Sequence, residues 1–194
     1  MVSRAVPTPR NLAFLARLRP FWRDPLFWYL PHETYLITVK AEPSVTVSDY
    51  VRKVLPTLEP ATRRAQIRRL NLALARLLRT LHERSLSDRD LKTANILIVG
   101  DPEADPPALS IIDLAGVKLL HPFPYHRRVQ NLARLSLSLD QVPGRTRTDA
   151  LQFLRAYLPW GLSPHNDWKG LWRDVIDWTR HKVERNKRRG RKLS

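Results

Sequence analysis

Apolar side chains return every three or four positions between residues 60 and 84. Ile67, Leu70, Leu74, Leu77, Leu78 and Leu81 line one face, and Arg63, Arg64, Arg68, Arg69, Arg76 and Arg79 carry the other. That period predicts an amphipathic helix over Pro60–Arg84. Its arginines read as a solvated face rather than a nucleic-acid site. The same period predicts three further helices: Arg127–Asp140 on Val129, Leu132, Leu135 and Leu139, Asp149–Leu158 on Leu151, Leu154, Tyr157 and Leu158, and Asp167–Arg189 on Trp168, Leu171, Trp172, Val175 and Thr179. A fifth, Thr46–Leu55, starts on a cap at Thr46 or Ser48 with Asp49 in its first turn. His82 falls near the end of the long helix, where a cation suits the dipole, and as a lone histidine it reads as structural.

Elsewhere the period is two. Glu33–Lys40 alternates β-branched and aromatic residues and reads as a strand, and Asn11–Arg17 is expected to pair with it as an antiparallel hairpin. The connection Pro20–Pro31 is rich in proline and aromatics. Phe21, Trp22, Phe27, Trp28 and Tyr29 read as core covering a loop, in preference to a membrane or nucleobase contact. Two short apolar runs, Ile96–Val99 and Leu109–Ile112, are buried-strand candidates separated by the turn Gly100–Ala108. The acids of that turn, Asp101, Glu103 and Asp105, lack the spacing of a calcium loop.

Composition narrows the class. With 194 residues, 43% of them hydrophobic, the chain holds a core for one domain with a small satellite lobe. No apolar run reaches the roughly 20 residues of a membrane span, and Met1–Arg4 leads into Pro7 and Pro9 without a signal core. The absence of cysteine excludes disulfides and thiolate metal sites and fits a cytosolic protein. A net charge of +16, from 34 Lys and Arg against 18 Asp and Glu, implies an anionic partner: nucleic acid, an acidic membrane face or a phosphorylated glycolipid. The charge peaks over Arg180–Lys192, where Glu184 is the single acid. A basic tail of this kind suits anionic lipid head groups, and also a nucleic-acid backbone.

The chemistry concentrates in two segments. Ser87-Asp88-Arg89-Asp90-Leu91-Lys92-Thr93-Ala94-Asn95 is a polar loop that runs directly into the first apolar strand. Leu109-Ser110-Ile111-Ile112-Asp113-Leu114-Ala115-Gly116 is a second strand that ends on an acid. Phosphoryl transfer needs a carboxylate to accept the proton of the attacking hydroxyl and oxygen ligands to hold Mg²⁺ against the nucleotide. Asp90 is placed for the first task, with Asn95 and Asp113 for the second. Lys92 lies on the same side of an extended loop as Asp90, positioned to neutralise charge on the transferred group. Gly116 is expected to let the backbone turn sharply after the acid.

Asp-Arg-Asp-Leu-Lys-Thr-Ala-Asn resembles the protein-kinase catalytic loop with its leading His replaced by Asp88. Asp113-Leu114-Ala115-Gly116 resembles the metal-binding Asp motif with one extra residue before the Gly. Followed by Arg127–Leu135, the combination is similar to the bacterial lipopolysaccharide kinase family of Kdo and heptose kinases, over roughly Pro7 to the C-terminus. The resemblance implies an α+β, protein-kinase-like fold: a mostly helical large lobe over residues 43–194 and a remnant small-lobe β-hairpin with its hinge over residues 1–42. It implies ATP and Mg²⁺ as cofactors, and Val39, Lys40 and Ala41 as hinge residues against adenine. Asp90 and Lys92 become catalytic, with Lys92 also on the nucleotide and Asn95 and Asp113 on the metal.

The segment Val117–Tyr125 is too short for the loop that holds a peptide in protein kinases. This favours a sugar or glycolipid acceptor, reached from the cytoplasm on the inner face of the membrane. Against the family pattern, no glycine precedes Gly100, and no strand lysine has a partner glutamate on a following helix. A small lobe without its first three strands is therefore expected. Three readings follow: a gene whose start is misassigned or truncated, which ranks first, a non-catalytic pseudokinase or basic binding module, or a minimal phosphotransferase. A Ser/Thr protein kinase is the alternative within the enzyme class.

Overall fold

The computed structural model describes residues 11–20, 29–140, 142–159, 161 and 167–190, with 11–20 and 29–38 described in their backbone. The aromatic positions 21, 22, 27 and 28, the Pro7–Arg10 entry and the last basic residues Arg191 and Lys192 lie outside the described residues.

Strands β1 (Asn11–Pro20) and β2 (Tyr29–Thr38) form the expected antiparallel hairpin. Both run further into the connection than alternation alone indicates. The register slips between Arg17↔Glu33 and Leu18↔Pro31, so Pro31 enters the ladder at an irregularity, where a residue without an N–H is tolerated. β2 ends at Thr38, two residues short of the predicted limit, which leaves Val39 and Lys40 beyond the ladder.

The helical body is centred on α2 (Pro60–Glu83), whose predicted face is fully realised: Ile67, Leu70, Leu74, Leu77, Leu78 and Leu81 are all buried. At about 1.5–3 kcal/mol for each large aliphatic side chain removed from water, this stripe is a principal source of stability. α2 packs on α4 (Arg147–Tyr157), while α3 (Tyr125–Leu139) packs on α5 (Trp168–Arg188). Within the α2–α4 contact, buried Asn71 donates Nδ2–H to the Asp149 carbonyl at 2.7 Å. Arg64 donates to the buried Asp149 carboxylate at 2.9 Å. Asp149 also closes a capping box with Thr146, so one acid starts α4 and ties it to α2.

The arginine face of α2 is thus more than solvated. Arg63 donates to the Pro56 and Leu58 carbonyls and Arg69 to the Glu103 carbonyl, while Arg68 and Arg76 face solvent.

The segment predicted as one helix over Thr46–Leu55 is composite. Thr46 caps it through the Asp49 N–H, as expected. A single α-helical turn, α1 (Val47–Asp49), then widens into a π-turn over Tyr50–Val54 and tightens into a 3-10 turn at Leu55–Thr57. Pro56 prevents an α-helix from continuing. The widened turn keeps Tyr50 and Leu55, five residues apart, both in the core.

Three strands escape a periodicity argument because each is three residues long. β3 (Ser44–Thr46) pairs with β5 (Ile96–Val99), which pairs with β6 (Ala108–Ile111), all antiparallel. β4 (Leu86–Asp88) pairs antiparallel with β7 (Val117–Leu119). These two small sheets position everything that follows.

Candidate active site

The β5–β6 register sets Ile96 opposite Ile111. The residue before one strand and the residue after the other are therefore neighbours, and the Ile112 N–H donates to the Asn95 carbonyl at 3.0 Å. Asn95 and Asp113 come to the same end of the hairpin for this reason. The β4–β7 ladder makes a second closure. Asp88 stands opposite Val117, and the Arg89 N–H donates to the Gly116 carbonyl at 3.1 Å. The loop between β4 and β5, which carries Asp90, is thereby laid against the segment that follows Asp113.

Gly116 is needed here for space. A Cβ at this position would lie 2.5 Å from Asp88 Oδ1, 3.1 Å from Arg89 Cγ and 3.3 Å from Asp90 N. The sharp backbone turn expected at Gly116 is taken instead by Asp113, whose φ of +58° lies in the left-handed region. A non-glycine residue held there stores strain of order 1–3 kcal/mol, a feature that clusters at working sites. The exposed Asp113 carboxylate takes no hydrogen bond or ion pair among the described residues.

Asp90 is surrounded by donors. Lys92 Nζ lies 2.9 Å from its Oδ2, and the Asn95 amide donates at 3.0 Å both to that oxygen and to the Asp90 carbonyl. Burial alone raises the Asp90 carboxyl. The bonds from Lys92 and Asn95, with the charges of Lys92 and Lys182, outweigh it and hold the group below the ordinary carboxylate range. Asp90 is therefore ionised at neutral pH. Since Asn95 spends its NH₂ group on Asp90, its Oδ1 is left without a donor among the described residues.

Beneath the loop, Asp88 is buried, and its Oδ1 accepts the Asp90 N–H at 2.9 Å in an Asx-type turn. Burial pushes its carboxyl up, the bond from Asp90 N–H opposes this, and the Asp90 charge adds to it. Asp88 is also held from behind. In the amide orientation that satisfies both ends, Asn131 of α3 donates to the Asp88 carbonyl at 2.9 Å. Its Oδ1 then accepts from Asp88 N at 3.3 Å and from His82 Nε2 at 3.1 Å. His82 Nδ1 lies 2.6 Å from the Tyr157 hydroxyl. The loop's far side is fixed by Ser138, which accepts the Thr93 N–H at 3.2 Å, and by the buried Leu91.

His82 is thus not a cation at the helix end. Burial, followed by the charge of Arg128, lowers its pKa to about 3, and it serves as a neutral linker between α2, α3 and α4. Neither Asn131 nor Ser138 is legible as a site residue from sequence, since each is one polar position on an amphipathic helix.

The structure thus brings Asp90, Lys92, Asn95 and Asp113 together. Val39, Lys40 and Ala41 lie between β2 and β3, where Lys40 pairs with Glu42 and the Ala41 carbonyl accepts from Ser44 Oγ at 2.5 Å. The donor set suits a hard cation completed by phosphate oxygens: one free anionic carboxylate and one free amide oxygen. Among the described residues no cluster of three or more His, Cys, Asp or Glu side chains stands ready to hold a metal unaided.

The profile of the lipopolysaccharide kinase (Kdo/WaaP) family matches residues 29–157. Comparison with curated proteins finds no match. Among solved structures, the chain is similar to one described as WaaP in complex with acyl carrier protein, with a TM-score of 0.66 and 24% identity over 93% of this chain and 69% of that one. The fold is therefore protein-kinase-like, and because the matched segment spans well over half of the sequence and includes every residue of the assembled site, the chain belongs to the lipopolysaccharide kinase (Kdo/WaaP) family.

Proposed function

We propose that this chain transfers the γ-phosphate of ATP to a sugar hydroxyl of the lipopolysaccharide core or a similar glycolipid. The observation that supports this reading is the convergence of an ionised Asp90 with Asn95 and Asp113 at the ends of two independent β-ladders. Asp90 accepts the proton of the acceptor hydroxyl as its oxygen bonds to phosphorus and ADP departs. A carboxylate held this low is a weak base, which suits a loose transition state in which positioning outweighs proton abstraction. Lys92 divides its charge between Asp90 and the transferred phosphoryl group. Asn95 Oδ1 and Asp113 are the residues to hold Mg²⁺, which supplies charge neutralisation on the nucleotide phosphates when bound. The backbone of Val39–Ala41 is the hinge for adenine. Residues 1–42 serve as small-lobe elements and 43–194 as the large lobe.

Among the described residues no helix is long and apolar enough to cross a membrane. We place the enzyme on the inner face of the cytoplasmic membrane, held by the basic end of α5, where each Lys or Arg near an anionic surface contributes about 1 kcal/mol. The test combines binding and transfer. MgATP at 100 times its dissociation constant should add about 2.7 kcal/mol of stability, Asp113→Asn should abolish that gain, and labelled phosphate should appear on core oligosaccharide. Absence of a gain in the unmodified chain, together with no transfer, defeats the reading.

The partner named for the structural neighbour also has a candidate seat. An apolar groove between α3, α4 and α5, lined by Leu135, Leu139, Phe153, Trp172, Val175 and Ile176, has room for an acyl chain. We infer that an acylated carrier protein docks there. Co-elution with the acylated form, lost in Ile176→Glu at the exposed lip of the groove, is expected; equal co-elution of the unacylated form removes the inference.

A further inference from the structure

α5 brings cations to the catalytic loop from nearly half the chain away. Arg134 of α3 lies over the Trp178 ring with Cζ 5.4 Å from its centroid, and Lys182 Nζ lies over the same ring at 5.4 Å. One indole thus seats two cations, in a contact worth about 0.5–2 kcal/mol each. Both act electrostatically on, or are acted on by, Asp90, Arg185 and each other, and Arg127 and Lys92 stand close enough to contribute. Arg134 is half-buried, and its Nη1 is fully enclosed without a hydrogen-bond partner among the described residues.

This is an unbalanced arrangement. Lys92, Arg127, Arg134, Lys182 and Arg185 gather near Asp88 and Asp90, with Glu184 on the same stretch of α5, so the cations outnumber the acids. Mutual repulsion and desolvation both disfavour gathering these charges, and Asp88 and Asp90 relieve them only in part. The enclosed Arg134 nitrogen adds its charge from behind, while the more accessible Arg185 guanidinium and Lys182 ammonium on α5 are suited to a carboxylate or a phosphate. The cluster also has a side. Lys92, Arg134 and Lys182 act on Asp90, the proton acceptor, and Arg134 also on Asp88, whereas Asp113 acts on Asp88 from the metal side. A groove along α5, lined by Trp178, His181, Lys182, Glu184, Arg185 and Arg188, leaves the α5 members open to a ligand.

We propose that Lys182 and Arg185 of α5, with Lys182 and Arg134 seated on Trp178 near Asp90, bind an anionic group of the acceptor, a phosphate or carboxylate adjacent to the hydroxyl that is phosphorylated. This rests on the proposed kinase reading for the identity of the acceptor, though the anion site itself does not. It makes charge on the acceptor a requirement for productive binding. Trp178 is a positioning residue: it touches no substrate and fixes the two cations.

Two experiments separate the site from the activity. Calorimetric titration with inorganic phosphate should show binding to the wild-type chain and to Asp113→Asn, weakened at least about tenfold in the exposed double variant Lys182→Gln/Arg185→Gln, the size expected for losing a charge-assisted contact. Equal phosphate affinity in the double variant overturns the proposal, whether or not the chain proves to be a kinase. The second experiment measures transfer to core oligosaccharide that is intact, stripped of phosphate esters, or reduced at its carboxyl groups. The double variant should raise the acceptor KM about tenfold with kcat nearly unchanged, and the difference should vanish on whichever acceptor has lost the recognised anion. An increase in nucleotide KM instead assigns the cluster to ATP and overturns the proposal. Failure of all transfer with intact phosphate binding defeats the kinase reading alone.

Discussion

Asp90→Asn is expected to slow phosphoryl transfer by about 10²–10⁴-fold, the usual contribution of a positioned general base, while leaving MgATP binding close to that of the unmodified chain. The substitution keeps the side chain's size and removes its ability to take a proton. The amide oxygen can take the place of Oδ2 and accept from both Lys92 and the Asn95 amide, but without the negative charge, so the bonds at 2.9 and 3.0 Å that order the loop are weakened. Stability should change little, because the group is half-exposed and its ion pair is screened. Asp113→Asn provides the contrast, since Asp113 has no hydrogen-bond partner among the described residues and the variant should lose nucleotide stabilisation instead. Single-turnover transfer rates and thermal shifts with MgATP on the two variants check this division. Asp90→Asn with more than a tenth of the original rate removes Asp90 as the base, and loss of MgATP binding in it moves Asp90 to the metal.

How far each part of the site can be read from the sequence depends on how much of its environment is local. The catalytic loop and the strand behind it are contiguous, and Asn95 reaches Asp90 over five residues. Such contacts are legible from the order of residues alone. The long helix is legible for a related reason, since a 24-residue stripe of period 3.6 has few other ways to bury itself. The resemblance to the lipopolysaccharide kinases rests on these same local strings, and the family match bears it out.

What sequence reasoning missed depends on pairing between distant segments. β3, β4 and β7 have three residues each and exist because a partner strand supplies the other half of their hydrogen bonds. Gly116 is assigned the wrong duty for the same reason: only the β4–β7 ladder shows Asp88 pressed against it. The basic end of α5 is visible as charge, but its use is not, because Lys182 meets Asp90 only after α5 packs on α3. Likewise Arg64 and Arg69 look like solvated charges until their acceptors, on α4 and on the β5–β6 turn, are brought to them.

Acidification should destabilise the fold through His82 well before Asp49, Asp90 and Asp149 protonate. The folded imidazole, buried against Tyr157, Asn131 and Phe123 with Arg128 nearby, takes a proton only at about pH 3, whereas an unfolded histidine takes one near 6.5. Between those values the unfolded chain binds one more proton than the folded one. Stability is therefore complete above pH 6.5 and falls as pH is lowered, by about 1.4 kcal/mol per unit. That amounts to about 2 kcal/mol at pH 5 and about 3 kcal/mol at pH 4, a large share of a typical domain's margin. Asp49, Asp90 and Asp149, held low by their partners, add their own losses only below the ordinary carboxylate range. Urea unfolding of the wild-type chain and of His82→Gln at pH 7.5, 6 and 5 isolates the histidine. Glutamine retains a donor and an acceptor but cannot be charged, so the variant should start less stable and lose less on acidification. Parallel curves would mean that His82 is already solvated or protonated in the folded state. Because Asn131 links this ring to the backbone of Asp88, protonation should also loosen the turn that presents Asp90, and transfer should fall with acid in step with stability even though Asp90 itself stays ionised.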